Sequence, residues 1–434
     1  MADRIEPPPA AETVTATQAG PTVAGPRKAA VAFIFATALM DITAIGIVIP
    51  VLPQLVKQFN HGNTSAAAGY VGLFGLIFAA MQLIFSPIIG ALSDRFGRRP
   101  VLLVSVFGLG FDYLLMGVSP NIGWLFVGRL VSGITAASFS TAQAYIADIT
   151  PPDKRAANFG LMGSAFGIGF ILGPAIAAVL GPFGPRAPFF AAAGVALVNG
   201  LYGLFILPES LPKDRRAPFQ IKNANPFGSL RLYASRPQLM GLAGVLFLFY
   251  LAQQVLQSTF VLYTNYRYGW GTSLIGVSLA LTGAASIVTQ MFVVKPFVAR
   301  FGERRALMTG LCCGALGFLV YGSAAHAWQY WFGVPIFAGT GLIGPGMQGM
   351  MTRRVGPTEQ GRLQGANSGV LAMAGLIGPI LFTQIFAWSI RGAKAGGGLP
   401  GLAIWVAGAF LTVALLVTLS QPKAETLAAA PTAA

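Results

Sequence analysis

Twelve apolar runs of bilayer-spanning length set what this chain can fold into. They occupy about 29–52, 68–92, 100–119, 122–147, 156–181 and 187–208, then, after a polar stretch, about 239–264, 271–297, 305–325, 328–350, 361–390 and 400–420. A spanning helix takes about 20 residues, and inside lipid the backbone N–H and C=O groups must be satisfied within the structure itself. Only 9% of the 434 residues are charged and 55% are hydrophobic, against roughly 25% charged in a soluble domain, so a soluble globular fold is excluded. The 55 glycines suit helices that approach closely in a bilayer. The expectation is an all-α integral membrane protein with twelve transmembrane helices in two six-helix bundles, at 29–208 and 239–420. Residues 1–28, rich in Pro, Ala and Thr, are expected to form a disordered tail rather than a cleavable signal peptide. A polar, basic connector follows at 209–238 and a C-terminal tail at 421–434.

The net charge of +15 follows from topology. With both termini cytoplasmic, the loops on that side hold Arg95, Arg98, Arg99, Lys154, Arg155, Lys213, Arg215, Arg216, Arg300, Arg304, Arg305, Arg353 and Arg354. The other side holds only Lys57, Arg186, Arg267, Arg391 and Lys394. That bias sets the orientation of a multi-pass inner-membrane protein and accounts for the basic charge without nucleic acid. Cys312 and Cys313 are adjacent in an apolar run, and His61 and His326 fall in separate loops, so no disulfide framework or metal site is indicated. No Gly-Lys dipeptide occurs, which removes the phosphate-cradling loop of nucleotide-driven pumps. No cofactor is called for, and no nucleophile–base constellation points to an enzyme.

An internal repeat divides the chain. Phe96-Gly97 recurs as Phe301-Gly302 and Gly173-Pro174 as Gly378-Pro379, both displaced by 205 residues, and Gly128/Gly333 and Gly160/Gly365 keep that offset. Duplicated six-helix units related by an axis along the membrane normal are the arrangement this implies.

Ionisable residues inside spans are costly, on the order of 3 kcal/mol or more at mid-bilayer, and mark function. Among the acids only Asp41 in the first span and Asp112 in the third qualify, with Arg129 in the fourth as the one deeply placed base. An apolar interior favours the neutral form of a carboxyl group and a nearby cation the charged form, so an acid that alternates between the two can carry a proton. Asp41 is the first candidate; Asp112 and Arg129 either share that role or form a fixed pair between two helices. Tyr250, Gln253, Gln254 and Gln257 fit one helical face. They are expected to line a central cavity that takes a polar solute, although bonds between helices would also satisfy them. Gln82, Gln290 and Gln348 are weaker candidates, and Phe166, Phe170, Phe382 and Trp388 either wall the cavity or simply pack.

The loop Gly90-Ala-Leu-Ser-Asp94-Arg95-Phe-Gly97-Arg98-Arg99 resembles the signature between helices two and three of the major facilitator superfamily. That resemblance implies a cytoplasmic gate latch, an ion-pair cluster that forms in one conformation and breaks in another; the alternative is a basic anchor that only fixes the orientation. Asp148 is expected to pair with Arg95 or Arg98, whereas Thr150 and Asp153 are expected to cap the next helix. The equivalent second-half loop has Ala299 for the acid and Lys295 for the first glycine, which predicts asymmetric gating. Gly160, Gly169, Gly173 and Pro174 resemble the fifth-helix motif of proton-driven antiporters; a bend there and plain close packing are equally good local readings.

Across about residues 30–420 the chain looks like the drug/proton antiporter branch, in particular the tetracycline/proton antiporters. The matching pieces are Asp41 with Gly46-Ile-Val-Ile-Pro50-Val-Leu-Pro53, Gln82 with Phe85-Ser-Pro87, Asp112-Tyr-Leu-Leu, Gly128-Arg129-Leu-Val-Ser-Gly133-Ile-Thr, and Glu359-Gln-Gly-Arg362-Leu-Gln-Gly365 with Gly378-Pro379. The resemblance implies roles for Asp41, Gln82, Asp112 and Arg129 in drug binding or proton coupling. It also implies alternating access, with protons, a small-molecule substrate and membrane lipid as partners of a monomer. The chain departs from the family where an acid is usual in helix nine, which falls at Gly314, and where a histidine is often found in helix eight, which falls at Ser286. The alternative reading is a facilitator or symporter for a small metabolite such as a siderophore or sugar derivative.

Overall fold

The computed structural model describes residues 24–135, 138–150, 155–216, 231–355, 360–391 and 398–421, and these are helical throughout apart from short connections. Eight stretches are long and apolar enough to cross a membrane, one of them, Thr272–Ser323, long enough for two passes, and Ile122–Thr135 and Gly167–Phe183 are shorter apolar helices.

The first span is α1 (Ala24–Val48) and α2 (Leu52–Phe59), interrupted at Pro50, which lacks an N–H and pushes its predecessor out of helical geometry. Helix α1 starts at Ala24, within the stretch expected to be tail. Then come α3 (Thr64–Phe96), α4 (Arg98–Val118), the pair α5 (Ile122–Thr135) and α6 (Ser138–Ile149), α7 (Arg155–Leu180) and α8 (Ala187–Ile206). Asn63 caps α3 by accepting the Ala66 N–H at 3.1 Å.

The short α9 (Arg231–Ser235) leads into α10 (Pro237–Tyr268). Spans eight and nine run without a break through α11 (Thr272–Val288), a π-helical stretch Thr289–Val294 and α12 (Lys295–Ser323). They turn at Gly302, where φ is +81°. The turn between α3 and α4 is made by Gly97 at φ +107°; both positions need the left-handed region open to glycine. Span ten is α13 (Ala327–Ala338) and α14 (Ile343–Thr352), joined by a 3₁₀ turn, and α15 (Gln360–Ser389) and α16 (Leu402–Ser420) complete the second half.

Without a hydrophobic drive between helices in lipid, close backbone approach holds such a bundle together. The crossing of α1 and α7 shows it: a side chain at Gly173 would strike the Gly46 Cα at 2.5 Å and the Thr43 carbonyl at 2.6 Å, and one at Gly169 would strike Ile42 at 2.8 Å. The fifth-span glycines therefore pack against α1, and Gly160 lies in the same helix. The halves meet where α3 crosses α15 and where α7 crosses α11.

Overpacking a close contact costs about 1–3 kcal/mol. Gly173→Val should lower the melting temperature of the purified protein, whereas Gly244→Val, where a Cβ meets nothing within 4 Å, should not. Equal melting temperatures for the two variants would refute the packing role.

Candidate functional site

The intramembrane acids sit in the first half, each between two helices. Asp41 faces α8, where the Asn199 side-chain amide donates to Oδ1 at 2.9 Å and to the Thr37 carbonyl at 3.1 Å. Asn199 is 1% exposed. No described cation pairs with Asp41. A neutral amide satisfies the carboxylate without cancelling its charge.

Asp112 is 2% exposed and is not directly paired with Arg129. Instead Ser132 stands between them, its hydroxyl donating to Asp112 Oδ2 while accepting from Arg129 Nη2 at 2.8 Å. The fixed pair considered from sequence is thus a three-member relay. Its helices come together because Gly128 leaves room for Asp112 Oδ1, which would lie 2.9 Å from a Cβ there. Asp112 Oδ1 and Arg129 Nε have no hydrogen-bond partner among the described residues, and the guanidinium lies 5.5 Å above the Phe78 ring.

The second half contributes a cavity of about 200 Å³ between α10, α14 and α15. Its polar lining is Tyr250, Gln348, Gln364, Asn367 and Ser368, its apolar lining includes Phe249 and Met347, and no lining side chain is ionised at neutral pH. Tyr233 on α9 donates its hydroxyl to Asn367 Oδ1. Burial pushes the Tyr233 phenol up to about 12, so it stays a donor. That bond leaves the Asn367 amide N–H groups as the free donors of the side chain.

The span-seven stripe is divided by the tertiary packing. Tyr250 lines the cavity, but Gln254 is turned against α15, with its Cβ and Cγ over Gly378. Gln253 is part-buried with Oε1 lacking a hydrogen-bond partner among the described residues, and Gln257 is exposed. Gln348 lines the cavity; Gln82, Gln290 and Asp41 do not. Gln290 is exposed in the π-helical stretch. Asn199, Ser132, Gln364, Asn367 and Ser368 were missed by sequence reasoning, since each is a common uncharged residue whose role depends on its neighbour.

At the signature loop, Arg98 binds Asp94 at 2.5 Å and Asp148 at 3.1 Å and donates to Ser93 Oγ at 2.7 Å. Ser93 in turn donates to the Gly90 carbonyl. Arg95 instead lies over the Phe96 ring. Glu209 accepts the backbone N–H groups of Arg98 at 2.8 Å and Arg99 at 3.3 Å. Thr150 has a partner, while Asp153 lies outside the described residues. At the opposite end the halves are tied by Lys57 donating to Asn265 at 2.7 Å, Thr272 to Gln54 at 2.6 Å and Ser65 to the Ala387 carbonyl at 3.1 Å.

This architecture has close relatives. The profile of the Major Facilitator Superfamily matches residues 34–379. The chain belongs to that superfamily. It is 38% identical over 389 residues to the class C tetracycline resistance protein of Escherichia coli, covering 89% of this chain and 96% of that protein. It is 35% identical over 395 residues to the class G protein of Vibrio anguillarum, covering 89% and 96%. It therefore belongs to the tetracycline resistance protein family within the superfamily. Among solved structures, the nucleoside transporter NupG superposes with a TM-score of 0.71 at 11% identity, covering 90% of this chain and 98% of that one; it shares the fold.

As a facilitator protein the chain is a transporter rather than an enzyme, and its departure at Gly314 has a steric basis. A side chain there would meet the Leu411 side chain at 2.6 Å and the Thr340 methyl at 2.9 Å, so a carboxylate would require both to shift. Ser286 spends its hydroxyl on the Thr282 carbonyl at 2.9 Å.

Leaving a buried acceptor without its donor costs about 1–3 kcal/mol. Ser132→Ala should destabilise the first half by that amount, and Ser132→Thr, which keeps the hydroxyl, should recover part of it. Thermal unfolding of both variants checks the relay; an Ala variant as stable as the native chain counts against it.

Proposed function

We propose that this protein is a proton-coupled antiporter of the bacterial inner membrane that exports an amphipathic, tetracycline-like organic molecule by alternating access. The observation that carries this reading is the division of the polar interior. The first half holds two acids with no direct ionic partner among the described residues, and the second half offers a cavity lined by amides, hydroxyls and apolar side chains. The tetracycline resistance relatives support the drug-like cargo.

With both termini and the signature loop cytoplasmic, the hydrogen-bonded end faces the periplasm, and the cavity is reached from the cytoplasm. This is the state in which an exporter captures cargo. Capture then precedes a rocking of the halves about the α3–α15 and α7–α11 crossings, with the bundles at 29–208 and 239–420 as the moving units. Protonation of Asp41 discharges it while its amide partner stays in place, which favours the cargo-free return. Deprotonation toward the cytoplasm resets the site for drug. With Gly314 in helix nine, proton handling falls to Asp41 and Asp112, the latter adjusted through Ser132 and Arg129. One chain supplies both the acids and the cavity, which supports a monomer as the working unit.

Asp41→Asn should abolish proton-driven export while leaving tetracycline binding to the purified protein within a few-fold of native. In a drug-susceptibility panel its protection should fall at least about tenfold, equivalent to about 1.4 kcal/mol. Equal protection by the native and Asn forms would remove Asp41 from the mechanism. Asn367→Ala removes one hydrogen bond to cargo, so KM for transport in proteoliposomes should rise by up to about tenfold with kcat little changed. An unaltered KM would take Asn367 out of the binding site.

A further inference from the structure

Asp41 and Asp112 differ in how many of their oxygens are taken, and at Asp41 the difference comes from one residue on α8. The buried face of that helix includes Ala192, Ala193, Ala196, Asn199, Gly200 and Gly203. Small residues at helical spacing seat α8 against α1 and α4, and among these six only the Asn199 side chain can donate a hydrogen bond. The Thr37 carbonyl accepts from its amide at 3.1 Å and Asp41 Oδ1 at 2.9 Å. A backbone carbonyl can only accept, so the end of the amide that faces α1 is its nitrogen, and it donates to two residues one helical turn apart. The Asn199 oxygen is enclosed with no hydrogen-bond partner among the described residues. A tie that served packing alone would satisfy both ends; this amide is committed to donation.

Donation to Oδ1 leaves Asp41 with Oδ2. That atom has no hydrogen-bond partner among the described residues, and it is not one of the enclosed atoms that lack one; Asp41 as a whole is half-buried. Asp112 is the opposite case. It is 2% exposed, its Oδ2 takes the Ser132 hydroxyl and its Oδ1 is enclosed. A carboxylic acid protonated on one oxygen still accepts on the other. The Asn199 bond therefore persists whether Asp41 is charged or neutral, and is weaker in the neutral state because the acceptor has lost its charge.

We propose that Asn199 is a positioning residue for proton exchange, which holds Asp41 Oδ1 in both protonation states and thereby assigns uptake and release of the proton to Oδ2. This rests on Asp41 as the proton carrier and adds the atom at which it works. The proton reaches Oδ2 from water on the open side of the carboxyl group and leaves by the same side. Asp112, closed on both oxygens, does not exchange in this conformation.

Infrared difference spectra of the full chain in lipid films, taken between alkaline and acid pH, test this, because the C=O band of a protonated carboxyl lies lower when that C=O accepts a hydrogen bond. The Asp41 band is the one absent from Asp41→Asn. In Asn199→Leu it should move to higher wavenumber, since nothing then donates to Oδ1, and in Asn199→Gln, which keeps an amide, it should move back toward the native position. Proton-driven export in proteoliposomes should fall about tenfold in the Leu form. A role in packing alone would lower the melting temperature and leave the band in place. Asn199→Ala carries the same measurement should Asn199→Leu fail to accumulate. A band that is lost in Asp41→Asn but unmoved in Asn199→Leu overturns the proposal and leaves Asp41 as the carrier. If Asp41→Asn removes no band, the carrier reading falls and the proposal falls with it.

Discussion

Inside a bilayer little water stands ready to satisfy a polar group, so a buried donor or acceptor is costly unless a partner within the bundle meets it. The placement of the polar side chains in this protein follows from that constraint. Asp41 is held by the Asn199 amide, and Asp112 by a serine hydroxyl that also accepts from Arg129. Threonines and serines along the spans return their hydroxyls to carbonyls one turn back, as Thr259 does to Val255 and Thr383 to Pro379. In both acid sites an uncharged side chain touches the carboxylate directly, Asn199 at Asp41 and Ser132 at Asp112.

Glycine supplies the complementary condition. Helices in lipid associate through contact, and at several crossings a glycine lets the backbone or a side chain of the facing helix come close. Gly46, Gly169 and Gly173 bring α1 onto α7, Gly72 and Gly75 bring α3 onto Pro379 of α15, and Gly276 brings α11 onto the Pro174 carbonyl. The last two crossings join opposite halves, and they lie toward the end that is hydrogen-bonded shut.

At the other end, charge does the work that packing does elsewhere. The signature loop is a compact ion-pair cluster around Arg98, in which the helix ends are opposed by like charge and relieved by Glu209. In the second half Glu303 and Arg353 form an ion pair at 2.9 Å.

Much of this was legible in the residues alone. Apolar runs and their lengths marked the helices, the 205-residue offset matched the two glycine turns at Gly97 and Gly302, and rarity singled out Asp41, Asp112 and Arg129 as charges the bundle must accommodate. The broken spans were less legible: Pro50 signals the interruption in span one, but the continuous passage from α11 to Gly302 and the 3₁₀ turn in span ten arise from packing against neighbours. Uncharged partners were not legible at all. Nothing in the sequence distinguishes Asn199 or Ser132 from any other small polar residue, and helical periodicity placed Gln254 beside Tyr250 although α15 claims it. The sequence by itself determined which segments cross the membrane and which charges must be accommodated, since both follow from transfer costs counted residue by residue. Tertiary structure alone decided who accommodates them, because a hydrogen bond or an ion pair belongs to two residues, and here those two are commonly fifty or more positions apart.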